Sequence, residues 1–522
     1  MLPDSLSERN KRPFRKRFIE CLVISENMAI ETELKLHIAP EHLQRLKRHP
    51  MLRSLSTTRA RTLKLYSIYY DTADLALRQQ AMALRLRRVG KRFLQTLNGG
   101  GQVSAGLHQR NEWEMPVVSE QLDFDALKAS GGVLPHGVRN HLQPVFVTDF
   151  SRNLRLLNFE GAEIELCMDS GEIRAGQASC PISELELELI SGHPQQLFKL
   201  ALALLDIVPL QVEHTSKAEY GYLLFSASNP SVGKARFPKL HRAQPIASAL
   251  QSLIGTCLAH VQSNVPGALL KLDEEYLHQV RVGLRRLRVA LSIALRFHAD
   301  AELLALCGQV AALCVALGRS REWDVFVTQT LAPICTRLPE HDGLHDVLQA
   351  SERVRKHQHI GMESNLAAPD FQRLLLRFGM WLHADPIGGA GDSLDQFAKR
   401  ILTQRNKQVL SRGMDLVGAD AAQLHALRIA CKKLRYSTEM FGSLFDEAKV
   451  KEYEAVLSGL QDILGILNDI AVAHRLLNEL DNAARHDTLA LIRGWTEHDY
   501  AERVADFGRA WKCFEAQKGF WN

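Results

Sequence analysis

The chain has 522 residues, more than one hydrophobic core usually organises, so we expect at least two domains. Its composition, 46% hydrophobic and 24% charged, is that of a folded globular protein and excludes collagen-like and wholly disordered classes. A formal charge of +5 is too small to indicate nucleic-acid binding by itself, and the cysteines form no C-x-x-C pair, which favours free thiols over a disulfide or zinc framework.

The first 27 residues contain the basic run KRPFRKR (11–17) and no apolar core of the length that secretory signals have. We predict that residues 1–27 are an untranslated leader or a disordered basic extension, with a nucleic-acid-binding arm as the less favoured alternative. No uninterrupted apolar run reaches the roughly 18 residues that cross a bilayer. The sequence therefore predicts a cytoplasmic protein without a membrane segment.

A strand-rich domain is predicted over residues 28–225, where apolar and polar residues alternate, as in IETELKLHI, MALRLRRV and ISELELELI. The stretch 226–240 is rich in Ser, Asn, Pro and Gly and is predicted to be a linker. From 241 to 520 the apolar spacing changes to three and four residues, which predicts amphipathic helices. The expected fold class is α+β and multidomain, with antiparallel strands followed by an all-α domain.

Charged side chains alternate with apolar ones on five of these predicted strands. Because successive side chains of a strand point to opposite faces, Glu31, Glu33 and Lys35 share one face, and the pattern recurs in ALRLRR, RNEWEM, AEIEL and SELELEL. An antiparallel sheet with one solvated face would explain any single strand. Five such strands favour a closed barrel whose lumen carries acids for a hard cation such as Mg²⁺ and cations for phosphoryl oxygens.

Four motifs in a fixed order carry a family resemblance: E-x-E-x-K at 31–35, YYDT at 69–72, the R-x-R of ALRLRR, and the late E-x-E-x-E. Together they resemble the CYTH superfamily, whose members are also called triphosphate tunnel metalloenzymes, over residues 28–225. The resemblance implies an eight-stranded antiparallel tunnel that hydrolyses or rearranges triphosphates.

Carried over residue by residue, the resemblance also implies roles for individual side chains. It implies a divalent cation, Mg²⁺ or Mn²⁺, held by Glu31, Glu33, Asp169, Glu184 and Glu186. It implies substrate binding by Lys35, Arg85, Arg87, Arg152 and Lys217, and a catalytic set of Glu31, Glu33 and Lys35. Glu188 is left open between a metal ligand and a structural member of the same face.

The chain departs from the family pattern after R-x-R, where a lysine is expected in a T-x-K strand. The sequence reads QTLNG, so Asn98 stands at that position and lacks the positive charge. The triphosphate would then bind more weakly or rely on Lys91 or Arg92, and a slipped register at the glycines 99–101 is an alternative. This departure weakens the prediction of full catalytic competence.

The helical half contains an internal repeat with an offset of 147 residues. HQVRVGLRRLR (278–288) aligns with HALRIACKKLR (425–435), and LGRSREWDV (317–325) aligns with LGILNDIAV (464–472). Two matches at one offset predict a duplicated unit, built as two four-helix bundles.

Each copy of the repeat predicts a basic stripe on one helix face, at about 100° per residue. The two stripes consist of His278, Arg281, Arg285 and Arg288, and of His425, Arg428, Lys432 and Arg435. A solvated helix face explains one stripe, but repetition favours a shared groove for a polyanion. A metal site is less favoured because no second ligand follows at i+4. Glu322, Asp324 and Asp469 either orient these cations or form ordinary surface pairs.

HQVRVGLRRLR, SREWDV and HALRIACKKLRY resemble the CHAD domain, a helical module, over about 245–515; the resemblance implies binding of inorganic polyphosphate. Both resemblances together predict metal-dependent hydrolysis of inorganic triphosphate to diphosphate and phosphate, with polyphosphate bound by the helices. The alternatives are a non-catalytic polyphosphate-binding or scaffolding protein, and thiamine triphosphatase or adenylate cyclase activity. Nucleic acid is not an expected partner, because the stripes lack interleaved aromatic residues.

Overall fold

The computed structural model describes residues 29–385, 392–414, 420–480 and 486–522, without the side chains of residues 29, 30, 102 and 104. The extension predicted over residues 1–27 lies outside this part of the chain. The chain divides into two compact units. The first contains residues up to Ser231 and the segment Leu375–His383, and the second contains Val232–Leu374 and Ala384–Asn522.

The described part of the first unit, from residue 29 onward, is built on nine strands. They are β1 (Ala29–Ile38), β2 (Arg61–Asp71), β3 (Met82–Val89), β4 (Arg92–Ser104), β5 (Leu107–Val117), β6 (Gln143–Phe159), β7 (Ala162–Ala175), β8 (Ala178–Ser191) and β9 (Leu210–Val212). Its helices are α1 (Pro40–Arg48), α2 (Pro50–Leu55), α3 (Ala76–Gln79), α4 (Phe124–Ala129), α5 (Gln195–Leu205) and α6 (Lys217–Phe225).

Eight of the strands close into an antiparallel barrel in the order β1, β5, β4, β3, β2, β6, β7, β8 and back to β1. The last residues of β1 also pair with the short β9. Gly171 lets β7 approach β6, since a Cβ there would lie 2.2 Å from the carbonyl oxygen of Asp149. The predicted fold class, an antiparallel strand barrel followed by a helical domain, is confirmed.

The strand residues between the charged positions are buried on the outer face of the barrel. Leu34 and Leu36 of β1 are fully buried, and helix α5 packs against β1 and β8. Helix α6 packs against β6, β7 and β8, where Gly221 lies against the ring of Phe146. On the other face of β1, Glu33 and Lys35 are each 2% exposed. Both faces of β1 are therefore buried, which fixes its register and the direction of its charged side chains.

The second unit is helical. Its helices are α7 (Ile246–Gln262), α8 (Val265–Leu269), α9 (Glu274–Phe297), α10 (Ala301–Ala316), α11 (Gly318–Val325), α12 (Ala332–Arg337), α13 (Asp342–Ala367), α14 (Pro369–Leu382, which continues into the segment grouped with the first unit), α15 (Leu394–Gly413), α16 (Ala421–Phe441), α17 (Glu447–Glu479) and α18 (His486–Glu515). A π-helical turn, Phe326–Leu331, joins α11 to α12.

Helix α9 packs against α7, α10 and α16, and α16 also packs against α15 and α17. Buried positions of α10 and α17 coincide at the offset of 147 residues. The coinciding pairs are Leu303 and Val450, Leu306 and Tyr453, and Val310 and Leu457. The two copies of the repeat therefore bury the same face of equivalent helices.

Two helical stretches in the described ranges are long and apolar enough to cross a membrane by length and composition. An 18-residue window of Ala301–Arg337 has a mean hydropathy of 1.9, and 22% of that window is buried. The corresponding window of Glu447–Glu479 has a mean hydropathy of 1.4 and is 33% buried. Core helices of globular proteins pass the same test, so the absence of a membrane segment stays a prediction.

Candidate functional site

Lys35 is the centre of an ion-pair cluster inside the barrel. The register places it beside Glu186 on β8, while Glu33 lies two residues away on the same face of β1. Its Nζ donates to Glu33 at 2.9 Å and to Glu186, and the side chain is only 2% exposed. Burial by itself would lower the pKa of Lys35, but Glu186 and Glu33 raise it. Lys35 is therefore a fully charged group of the lumen.

A second cluster joins β6, β7 and β8 to the start of α6. One carboxylate oxygen each of Asp169, Glu184 and Glu186 lies within 4.8 Å of the others. Lys217, the first residue of α6, places its Nζ 2.8 Å from Asp169 and 3.0 Å from Glu186, and it also bonds Glu184. Arg152 donates two hydrogen bonds to the carboxylate of Asp169, at 2.9 and 2.7 Å. Burial would raise the pKa of Glu186, but Lys217, Lys35 and Arg152 hold it well below its usual value.

Toward the start of β1 the acids are less well compensated. Arg110 of β5 bonds Glu31 at 3.0 Å and also Glu33. Glu188, opposite Glu33, has no ion-pair partner among the described residues, and burial together with Glu31 and other acids raises its pKa to about 9. Burial, and next Glu31, raises the pKa of Glu112 to about 7. This end of the lumen holds more negative charge than its cations neutralise.

The opposite imbalance occurs at Arg87. Its Nε donates to Ser67 at 3.2 Å, and it makes no ion pair within the described ranges. Burial, then Arg85 and Arg152, lowers the pKa of Arg87 to about 10. Arg85 bonds Glu112 at 3.2 Å, yet its own Nε is buried without a partner. Cations that repel one another and keep free donors are suited to bind an anion.

Asn98 lies on the lumen face of β4, paired with Ala83 on β3 and with Glu112 on β5. Its Oδ1 is buried and has no hydrogen-bond partner. The strand register shifts only beyond it, between Gly99 and Gly101. The slipped register considered from the sequence therefore does not move Asn98 out of the lumen.

The donor set of the lumen is chemically suited to a hard divalent cation. All its candidate ligands are carboxylates, which such ions prefer. Asp169, Glu184 and Glu186 lie close enough to share an ion, but Lys217 and Arg152 already occupy their oxygens. A metal would therefore either displace one of these amines or use the less compensated acids around Glu188.

The two basic stripes lie on α9 and α16, which face each other. The Nε of Arg285 is 3.4 Å from the hydroxyl oxygen of Tyr436 on α16. Arg281 Nη1 and Arg428 Nε are buried without hydrogen-bond partners. Burial, then Arg285, lowers the pKa of Arg281 to about 9. Both helices thus contribute a buried guanidinium nitrogen without a hydrogen-bond partner, although Arg428 also lies 3.9 Å from Asp469.

The remaining stripe residues differ in their exposure and in their hydrogen-bond partners. His278 is half-buried, and its pKa is lowered by burial and by the nearby arginines. His425 is exposed, with Nδ1 2.6 Å from Asn468 Oδ1. Arg288 is exposed, whereas Arg435 donates to Glu439 at 3.0 Å. Arg435 is therefore partly neutralised by its own helix.

Asp324 makes its hydrogen bonds outside the stripes, although it lies close enough to Arg281 to oppose the lowering of that arginine's pKa. It is 3% exposed and accepts from Arg355 and His359, both at 2.8 Å.

The structure also places side chains in the lumen that received no assignment from the sequence. Arg110 and Glu112 are the main ones, and both stand in the alternating segment RNEWEM. Their alternation marked the strand, but only the pairing of β5 with β1 reveals their contacts. Tyr69 of the YYDT motif stacks on Phe146 at 4.4 Å, and Arg85 and Arg87 counteract the effect of burial to lower its pKa.

Asp71 of the YYDT motif has a structural position. It is fully buried, and its carboxylate accepts hydrogen bonds from the backbone of Thr72, Leu77 and Arg78.

Comparison with known proteins gives matches in both units. Residues 29–222 match the CYTH domain family, and residues 252–478 match the CHAD domain family. The inorganic triphosphatase of Haemophilus influenzae is 36% identical over 202 residues, which are 38% of this chain and 57% of that protein. The match thus spans little more than half of that relative.

Two solved structures are similar. The CHAD domain of the plant Ricinus communis is 29% identical and has a TM-score of 0.49, covering 56% of this chain and 98% of that one. A candidate adenylyl cyclase from Hippeastrum with a dominant triphosphatase activity is 17% identical and has a TM-score of 0.28, covering 38% of this chain and 97% of that one.

Proposed function

We propose that this chain, a CYTH domain followed by a CHAD domain, hydrolyses inorganic triphosphate to diphosphate and phosphate in its barrel and binds polyphosphate on its helices. One observation carries the first part of the proposal. The same lumen holds a cation without an ion-pair partner, Arg87, and an acid without one, Glu188, among the residues described. A metal-bound polyphosphate supplies both missing charges. The 36% identity to an inorganic triphosphatase over the barrel supports the reaction class.

The basic side of the lumen would hold the triphosphate. Arg85 and Arg87 are neighbours on the lumen face of β3, and Lys35 is buried on β1, so these three cations would replace water around the phosphoryl oxygens. Arg152 lies close enough to Arg87 to lower its pKa, and Lys217 is the first residue of α6. Both are paired with Asp169 and Glu186, so they would hold the end of the triphosphate that lies nearest α6. Phosphoryl transfer depends mainly on such positioning and charge neutralisation.

The acidic side would hold Mg²⁺ or Mn²⁺. The proposed ligands are Glu31, Glu33, Asp169, Glu184 and Glu186. We include Glu188, left open from the sequence, because no ion-pair partner neutralises it among the described residues. When bound, the ion neutralises phosphoryl oxygens and polarises them for attack. Glu112, which is bonded to Arg85 and is not a proposed metal ligand, would accept a hydrogen bond from the attacking water and align it. No covalent enzyme intermediate is needed, because water attacks the phosphorus directly.

Paired arginine variants test the substrate site. Arg87→Gln should lower kcat/KM for inorganic triphosphate by about 10- to 100-fold, the cost of one charge-assisted interaction. Arg88→Gln is the matched control, since the next residue on β3 is exposed on the outer face, and its activity should stay unchanged. Equal loss in both variants would contradict the assignment of the lumen as the site.

A substrate panel tests the activity itself. Phosphate and cyclic nucleotide are measured from triphosphate, thiamine triphosphate, ATP and long polyphosphate, with each divalent cation and with none. We expect metal-dependent phosphate release from inorganic triphosphate, abolished in Glu31→Gln and Glu33→Gln. Faster turnover of thiamine triphosphate or ATP would transfer the assignment to that substrate.

A non-catalytic, polyphosphate-binding protein is the second candidate, and Asn98 motivates it. The unpartnered amide oxygen faces the lumen where the family places a lysine. Protein that binds polyphosphate but releases no phosphate from any member of the panel would establish this candidate. In that case Asn98→Lys, which restores the missing charge beside Glu112, is the variant expected to gain activity.

Polyphosphate binding by the second unit rests on the facing stripes of α9 and α16. Crowded cations with buried, unpartnered guanidinium groups are stabilised by a polyanion. Arg281→Gln and Arg428→Gln should each weaken binding of long polyphosphate about 10-fold, while Arg319→Gln, whose partner is Glu479, should not. Unchanged affinity in the first two variants would contradict the groove.

A further inference from the structure

Lys432 occupies an unusual position in the helical repeat. At the offset of 147 residues it corresponds to Arg285, so the second copy has an amine where the first has a guanidinium. An arginine stays charged in proteins, whereas a lysine can lose its proton and become a nucleophile. The exchange of one cation for the other therefore adds a reaction that Arg285 cannot perform.

The surroundings of Lys432 favour the uncharged amine. Lys432 is half-buried and makes no ion pair within the described parts of the chain. The charged groups that face it are Arg428 on its own helix, Arg285 and Arg281 on α9, and Asp469 on α17. Burial is the largest cause, and the arginines next, of a pKa lowered to about 7. Asp469, the one acid in this set, opposes them and lies 3.9 Å from Arg428.

The same groups form a binding place for a small phosphate. Arg281 Nη1 and Arg428 Nε are buried donors without hydrogen-bond partners, and both arginines are close enough to Lys432 to lower its pKa. A phosphate monoester or acyl phosphate fits such a group of donors. When the phosphoryl group of an acyl phosphate binds to these arginines, the acyl carbon beside it would lie close to the amine of Lys432.

We propose that Lys432 is an acylation site for small acyl phosphates, which bind through their phosphoryl group to the surrounding arginines. The proposal rests on the anion groove of the proposed function. The amine nitrogen attacks the acyl carbon, a carbon–nitrogen amide bond forms, and the carbon–oxygen bond to phosphate breaks. Phosphate leaves with one proton from the amine as hydrogen phosphate, so neither an oxidant nor a further reactant is required.

Acylation would also regulate the groove. The amide has no positive charge and is larger than the amine, so the modified side chain cannot bind phosphate as a cation. Arg428 and Arg281 would keep their charges but lose the neighbour that completes the site. We expect polyphosphate affinity to fall about 10-fold in the acylated protein, and bound polyphosphate to protect the amine.

The test uses the full-length protein, acetyl phosphate as the probe, and site-resolved mass spectrometry of acetylation rates at neutral pH. Lys432 should react at least about 10-fold faster than Lys449, a lysine on α17 with an ordinary environment. Inorganic phosphate should slow Lys432 and leave Lys449 unchanged. N-hydroxysuccinimidyl acetate has no phosphoryl group to bind to the arginines, so with this reagent the rate advantage of Lys432 over Lys449 should be smaller than with acetyl phosphate. Equal rates at the two lysines, or no protection by phosphate, would overturn the proposal.

Two variants keep the test independent of folding. Arg285→Gln and Arg281→Gln should each slow acetylation of Lys432 several-fold without changing the circular dichroism spectrum. If one variant fails to fold, the other still tests the proposal. Polyphosphate binding by the unmodified protein is measured in parallel. Selective, phosphate-protected acetylation without polyphosphate binding supports the acylation site and rejects the proposed polyanion function. Polyphosphate binding without selective acetylation rejects the acylation site alone.

Discussion

Replacing Glu188 by glutamine should stabilise the metal-free barrel. Glu188 faces Glu33 across the β1–β8 pairing and has no cation within ion-pair distance among the described residues. Burial, and then Glu31, Glu165 and other acids, raises its pKa from 4.5 to about 9. The folded barrel must therefore either take up a proton at this side chain or hold an unfavourable charge. Glutamine keeps nearly the same shape and carries no charge.

The size of the effect follows from proton linkage. Because the folded-state pKa is raised, the stability that the proton supplies is complete below pH 4.5 and is lost as the pH rises toward 9. Each pH unit in this window is worth at most about 1.4 kcal/mol, so at pH 7.5 the ceiling is about 4 kcal/mol. Water entry and side-chain relaxation reduce it, and we expect Glu188→Gln to gain about 2 kcal/mol at pH 7.5 and almost nothing at pH 4.5.

Calorimetric unfolding of the full-length protein in a chelator, at several pH values between 4.5 and 9, measures this gain. The barrel transition should rise in temperature by roughly 4–8 °C in the variant at pH 7.5. The exposed Glu120→Gln is the control and should show no gain. Added Mg²⁺ should stabilise the wild type more than the variant. A variant that is less stable at pH 7.5, or a gain that is independent of pH, would refute the reasoning.

Three further predictions concern other parts of the chain. Polyphosphate affinity should fall by up to about tenfold per pH unit above pH 7, because Lys432, with a pKa of about 7, must take up a proton to bind. Calorimetry of binding in buffers of different ionisation enthalpy measures this proton uptake. The uptake should be absent in Lys432→Met. Asp71→Ala should cost about 3 kcal/mol in urea unfolding, since three buried backbone donors lose their acceptor, and a loss under 1 kcal/mol would contradict this. Gly221→Ala should lower the free energy of unfolding by about 1–3 kcal/mol, because the new Cβ would lie 2.2 Å from the ring of Phe146. The control Gly459→Ala, with open space around it, should be neutral or stabilising. Equal effects of the two variants would refute the packing argument.

Much of the barrel could be predicted from alternation alone. A strand has a period of two, so the shared face of Glu31, Glu33 and Lys35 follows directly from their spacing. The sequence also indicated that the charged face of each strand lines the lumen, because the leucines between the charges must pack against a core on the other face. The position of Lys217 is harder, since it stands at the start of a helix rather than on a strand.

The charge balance of the lumen could not be read from the sequence. Which acids are neutralised depends on the register between strands that are far apart in the chain, as with Lys35 and Glu186, 151 residues apart. Spacing within one strand contains no information about that register. By contrast, the partial neutralisation of Arg435 was detectable, because Glu439 follows four residues later on the same helix.

The closure of the barrel also sets an order of events during synthesis. Among the described strands β1 is made first, and it pairs with β5, β8 and β9. Its partners in β8 and β9 follow only at residues 184–188 and 210–212. Such long-range pairings form slowly, while the helices of the second unit depend on contacts closer in the chain. Until β8 arrives, β1 presents an unpaired edge with alternating leucines, a segment prone to pair with other chains. The charges of Glu31, Glu33 and Lys35 then also protect the unpaired edge of β1, because burying them in an aggregate would be unfavourable.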